Sequence, residues 1–196
     1  IYKGERTEEI TTMAAEQSKT LVPDHAMTLG SDNAKVVLVE FFDPACETCA
    51  SFYHPVKKIL ADHPGQIKLV MRYAPFHQGS DQVVKMLEAA RGQDKYWEAL
   101  EAMYGTQQHW ASHHNPQPDL LWQILPQAGI DVEQLKLTVQ SGALDVLVQQ
   151  DLADATTLGV RKTPSFFVNG KPLTNFGYEP LVALVDAELK IQYPAN

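Results

Sequence analysis

From Lys35 to Phe42 the chain reads KVVLVEFF, a nearly continuous apolar and β-branched run that predicts a central strand buried on both faces. After a short polar break a helical pattern begins at Cys46, with Phe52, Val56, Ile59 and Leu60 spaced i, i+4, i+7 and i+8. Pro55 lies inside it and should kink it, because its ring meets the carbonyl of Ser51. HPGQ ends the helix, and IKLVMRYA (Ile67–Ala74) predicts a second strand. A strand, a helical crossover and a strand imply a parallel, right-handed βαβ unit.

The pattern then turns helical for a long stretch. DQVVKMLEAARGQ, DKYWEALEAMYG, PDLLWQILPQAG and DVEQLKLTVQSG each predict a helix opened near Asp or Pro and closed by Gly, and a fifth runs from Ala143 to Leu158. PSFFVNGKPL switches back to a strand, the hairpin signal Asn169-Gly170 and a short partner strand containing Pro172. Glu179 to Ile191 closes the chain as an amphipathic helix. The order βαβ, helical insert, ββα predicts an α/β fold on a four-stranded mixed sheet with helices on both faces. The expected organisation is an N-terminal polar spacer or helix over 1–27, a βαβ part over 28–79, a helical insertion over 80–145, and a ββα part over 146–196. VPDHAMTLGSDNAK, rich in turn formers, reads as the lead into the first strand.

Composition narrows the partners. A formal net charge of −8 repels phosphate, so neither nucleic acid nor an anionic membrane surface is an expected partner. The run Val36–Phe42 is far short of the roughly 20 apolar residues that cross a bilayer. The chain begins at Ile1 and not at Met, and the expectation is that an upstream signal peptide or N-terminal anchor has been removed; any membrane association would run through it.

The chemistry concentrates in DPACETCASFYHP, which contains both cysteines of the chain, Cys46 and Cys49. As a structural staple the pair is weak: a loop this short contributes only about 2 kcal/mol in the chain-entropy model, and a chain of this apolar content needs no such tether. As a zinc site it is incomplete, since His54 would add one ligand and no further one stands nearby. No metal is therefore assigned. As a redox centre it explains both spacing and position. Cys46 falls where a helix starts, and the unpaired N–H groups and positive dipole end there favour a thiolate, bringing such cysteines to pKa values of roughly 3.5–7.5. Cys46 would be the nucleophile that forms a mixed disulfide, and Cys49, one turn on, the resolving thiol. The sulfurs carry the electrons, so no cofactor is required.

VEFFDPACETC and LGVRKTPSFFVNGKPL together resemble the active-site start and the cis-proline loop of the DsbA-like thioredoxin-fold family of thiol:disulfide oxidoreductases, over about residues 28–192. The resemblance implies a thioredoxin fold with a helical insertion and disulfide exchange with the cysteines of exported proteins. It also implies a partner protein that recharges the site, and a periplasmic location. An isomerase or reductase of the same fold remains an alternative, as does, from another class, a copper-handling binding protein.

Other residues take expected roles. Glu40, a carboxylate within the first strand, is expected to be buried and to accept or relay the proton of Cys49, and the resemblance places an acid at this position; its expected partner is Lys68 or Arg72, with the choice between them left open. The resemblance makes Thr163-Pro164 a cis peptide whose backbone, at Thr163, would pair with an extended substrate segment. Glu47 and Thr48, between the cysteines, would face substrate, and Glu47 would oppose the thiolate. Arg161 and Lys162 read as solvated loop charges. The expected outcome is a centre less oxidising than the strongest family member, at about −120 mV. His109, His113 and His114, with Trp110, read as an exposed helix end or interface, His54 and His77 as groove lining, and Tyr96, Trp97, Tyr104 and Trp122 as the core of the insert.

Overall fold

In the computed structural model, residues 17–195 are described; the polar spacer expected over 1–27 lies largely outside them. The chain divides into two compact units. Among the described residues, one comprises those up to Glu40, Lys58–Arg72 and those from Phe166 onward, and the other Phe41–Lys57 and Tyr73–Ser165.

A mixed sheet of five strands runs in the order β1-β3-β2-β4-β5, with β1 Met27–Gly30, β2 Val36–Phe42, β3 Ile67–Tyr73, β4 Ser165–Val168 and β5 Lys171–Pro172. The N–H of Val36 bonds the carbonyl of Gln66 at one end of β2, and the N–H of Ala74 bonds that of Phe42 at the other, so β2 and β3 run in the same direction. Both strands are buried at every position but their second, as continuous apolar runs require.

The sheet has one strand more than the expected four. β1 pairs antiparallel with β3, Met27 opposite Met71 and Gly30 opposite Lys68. Four residues set among turn formers carry no readable alternation, so its pairing is decided by the edge that β3 offers. Gly30 makes the approach feasible: its φ is 104°, and a Cβ there would stand 2.4 Å from the carbonyl oxygen of Ile67. The Asn169-Gly170 signal is realised as a tight turn, with φ of 47° and 82°, joining antiparallel β4 and β5.

The helix after β2 spans Glu47–Asp62 and is continuous through Pro55. Its buried face is Cys49, Tyr53, Val56 and Ile59; Phe52 and Leu60, expected on that face, are half-buried. Starting the count at Cys49 shifts the apolar stripe one position onto Tyr53.

In the second unit, helices Ser80–Arg91, Tyr96–Gly105, Val132–Gln140 and Asp145–Thr157 follow the periodic pattern. The helix expected over PDLLWQILPQAG is instead broken into 3₁₀ turns at Pro118–Leu120 and Leu125–Ala128 around a single α turn, Leu121–Ile124. Pro118 and Pro126 account for this, since neither can donate a backbone hydrogen bond. The aromatic centre of the insert is Trp110, fully buried and donating its indole N–H to the carbonyl of Met103 at 2.8 Å, together with buried Tyr96. Trp97, Tyr104 and Trp122 are only half-buried, which corrects the expected assignment of these rings.

Candidate active site

The turn that leads out of β2 is written in DPAC. Asp followed by Pro starts a β-turn: the N–H of Cys46 donates to the carbonyl of Asp43 at 3.0 Å. The N–H of Ala45 donates to Asp43 Oδ1 at 2.9 Å, a side chain closing on the backbone two residues on. The turn delivers Cys46 to the position just before the Glu47–Asp62 helix. There its sulfur accepts the N–H of Cys49 at 3.2 Å, as a capping oxygen would.

Cys46 is 7% exposed and Cys49 fully buried, both as free thiols. The Cys46 thiol donates to the carbonyl of Thr163 at 3.4 Å. Thr163 precedes Pro164 through a cis peptide; Pro164 is buried, while Arg161 and Lys162 beside it are exposed. Glu47 and Thr48 are exposed on the first helical turn.

The pKa of Cys46 falls from its ordinary 9.0 to about 6. A side-chain hydrogen bond with Cys49 draws it down most, against burial, which pushes it up; a side-chain hydrogen bond with Thr163 and the Cys49 amide lower it further, and the Asp43 charge raises it. The Cys49 thiol thus acidifies the Cys46 thiol directly.

Two residues at this site, Asp43 and Gln107, were not assigned from sequence. Asp43 is fully buried; beyond Ala45, its Oδ2 accepts the N–H of His77 at 3.0 Å and lies 2.8 Å from His77 Nδ1. His77 thus does more than line a groove, and it stacks face to face on His114, ring centroids 5.7 Å apart. Gln107, also buried, uses its side-chain NH₂ to donate to the carbonyls of Pro44 at 2.8 Å and Cys46 at 3.0 Å. The Asp-Pro pair signals the turn, but nothing local in the sequence foretells that Gln107 reaches back to it.

His109, His113 and His114 are exposed. The short helix Gln107–Trp110 ends before His113, so no helical i, i+4 pair forms. Among the described residues no group of three or more acidic, His or Cys side chains is arranged to hold a metal.

In the other unit, Glu40 is 3% exposed within β2. Of the two cations considered for it, Lys68 pairs with Asp32 at 2.9 Å, and buried Arg72 donates to the carbonyls of Thr20 and Leu21.

The family model described as thioredoxin matches residues 23–187. A putative protein-disulfide oxidoreductase of Rickettsia conorii is 26% identical over 95% of this chain and 72% of its own length. A Na(+)/H(+) antiporter NhaA of Herminiimonas arsenicoxydans is 29% identical over 87% of this chain, which spans only 26% of the antiporter. Among solved structures, a thioredoxin-like oxidoreductase from Silicibacter pomeroyi superposes with a TM-score of 0.75 at 27% identity, covering 91% of this chain and 98% of that one. BdbD from Bacillus subtilis superposes with a TM-score of 0.73 at 27% identity, covering 83% and 92%. The thiol-disulfide exchange protein alpha-DsbA2 from Wolbachia pipientis shares the fold, with a TM-score of 0.74 at 20% identity over 93% of this chain and 97% of that one.

Proposed function

We propose, for a chain that belongs to the thioredoxin family, that it is a DsbA-like thiol:disulfide oxidoreductase which passes a Cys46–Cys49 disulfide to the cysteines of exported proteins. The observation that carries this reading is the Cys46 sulfur at the helix start, hydrogen-bonded by Cys49 and acidic at about 6. A thiolate stabilised in the reduced form is a good leaving group, and stabilising the reduced form makes the disulfide an oxidant.

The exchange balances as follows. A substrate thiolate attacks Cys46 Sγ; the Cys46–Cys49 bond breaks, and Cys49 leaves with the electron pair and takes up a proton. The second substrate thiolate then attacks the first substrate sulfur, the one bonded to Cys46 in the mixed disulfide, and expels Cys46 as a thiolate. The substrate loses two electrons and two protons; one proton ends on Cys49 and the other in solvent.

An extended substrate would lie along the backbone at Thr163, whose carbonyl already faces Cys46, with Glu47 and Thr48 exposed beside it. Because an oxidant of this kind must be recharged, the reading includes a partner oxidase and a location outside the reducing cytoplasm, the periplasm. Among the described residues no helix is long and apolar enough to cross a membrane.

The test is transfer. Oxidised protein mixed with a reduced, unfolded, cysteine-containing substrate is expected to become reduced stoichiometrically, with a potential between those of thioredoxin, about −270 mV, and the strongest DsbA, about −120 mV. Retention of the disulfide in the presence of excess substrate thiol would overturn the proposal.

A further inference from the structure

The carboxylate of Asp43 is fully buried, belongs to the turn that carries the reacting sulfur, and has both oxygens engaged. A structural acceptor for the Ala45 N–H could be an uncharged Asn or Ser, each of which closes the same turn. A buried charge is a costly way to make that bond, and a charge beside a sulfur that must ionise works against the reaction. It stands three residues before Cys46 in a turn closed by the Cys46 N–H on the Asp43 carbonyl at 3.0 Å, and His77, stacked on His114, lies against its Oδ2.

We propose that Asp43 is a positioning residue that sets the oxidising strength of the site: it fixes the Cys46 turn through its hydrogen bonds and holds a buried negative charge, anchored by His77, against the sulfur. The protein is thereby a weaker oxidant than its turn and helix would otherwise make it. This rests on the disulfide-exchange reading and adds to it the residue that restrains the exchange. The influence of Asp43 on Cys46 is in the direction required, since its charge opposes ionisation.

The experiment compares the full chain with Asp43→Asn, Asp43→Ser and Asp43→Glu. Two quantities are read: the ionisation midpoint of Cys46, from thiolate ultraviolet absorbance against pH, and the equilibrium with a glutathione buffer. Asp43→Asn and Asp43→Ser keep an acceptor for Ala45 without the charge; both are expected to lower the midpoint and to shift the equilibrium toward the reduced protein by about threefold or more. Asp43→Glu, which keeps the charge, is expected to stay nearer the parent on both readouts. A purely structural Asp43 would cost stability in the variants without making Cys46 more acidic, so an unchanged or raised midpoint in the uncharged variants overturns the inference. If Asp43→Asn does not fold, because its NH₂ meets the His77 donors, Asp43→Ser decides the matter alone. A parent chain that fails to oxidise substrate would sink the functional reading and leave the midpoint comparison standing; a parent that oxidises substrate while the variants titrate like it would sink only this inference.

Discussion

The backbone amide of Cys49 donates to the sulfur of Cys46 at 3.2 Å, so the Cys46 sulfur itself caps the helix start. One residue spacing serves two purposes: it sets the reach of a disulfide, and it places a first-turn N–H where a thiolate needs a donor.

The amide bond survives removal of the Cys49 side chain, but the side-chain hydrogen bond, the largest influence lowering Cys46 to about 6, does not. Cys49→Ala is therefore expected to raise the ionisation midpoint of Cys46 toward 9.0, each unit of the rise meaning about tenfold less thiolate at a fixed pH below both values. Thiolate absorbance against pH measures it. An unmoved midpoint would mean that the helix start alone acidifies the sulfur.

Ionisation of Cys46 also makes the stability of the reduced protein depend on pH. Unfolded, the group ionises near 9.0 and, folded, near 6, so between those values the unfolded chain holds a proton that the native one has released. Stability of the reduced form is then expected to rise with pH through that window, by at most about 1.4 kcal/mol per unit, and to be lost as pH falls through 6. The disulfide form has no such group. Urea denaturation of both forms from pH 5 to 9 reads the difference directly, and parallel curves would count against a depressed native pKa.

How far the sequence carried the fold depends on what each segment had to say for itself. KVVLVEFF and IKLVMRYA are long, apolar and β-branched, and both became the buried strands they predict. MTLG has too few residues to show a period, and its strand exists because β3 has an open edge. PDLLWQILPQAG has a helical apolar pattern, yet its prolines prevail locally and break it into single turns. At the site, the cysteines were legible by spacing and the helix start by the apolar pattern that follows Cys46. Gln107 was not, because its importance lies in a bond across 61 residues of sequence to the Cys46 carbonyl. Trp110 was misread because its neighbours are polar; burial is a property of the packed insert and not of HWASHHNPQP.

Trp110 is fully buried, with the one polar atom of its side chain donating to the carbonyl of Met103. Trp110→Ala is expected to destabilise the protein by about 3–5 kcal/mol through the cavity it leaves, read as a lower denaturant midpoint with an unchanged slope. A loss below about 1 kcal/mol would mean that the insert collapses around the gap.

At Gly30 the cost is one of backbone. Gly30→Ala would bring a Cβ to 2.4 Å from the Ile67 carbonyl oxygen at a φ of 104°, so β1 must peel from β3 or the strand must strain. Destabilisation of about 2 kcal/mol or more is expected, and hydrogen exchange should localise it to the β1–β3 pairing.

Gln107 gives the sharpest contrast between packing and polarity. Both of its side-chain protons go to carbonyls of the active-site turn, those of Pro44 and Cys46. Gln107→Leu fills much the same volume but removes both donors; the Cys46 carbonyl keeps the N–H of Ala50 at 3.1 Å, whereas that of Pro44 loses its donor, a penalty of about 1–3 kcal/mol. Gln107→Glu is expected to be worse at neutral pH, because a carboxylate would face two carbonyl oxygens instead of donating to them. Protonation gives that carboxyl one O–H to donate, so its native pKa is raised. Its folded form therefore gains relative to the unfolded chain as pH falls below the native value. The expected order at pH 7 is parent, then Leu, then Glu, with the Glu variant overtaking Leu in mildly acidic solution. Denaturation midpoints of the three proteins at pH 5 and pH 7 test this, and a Leu variant as stable as the parent would show that the turn holds without the clamp.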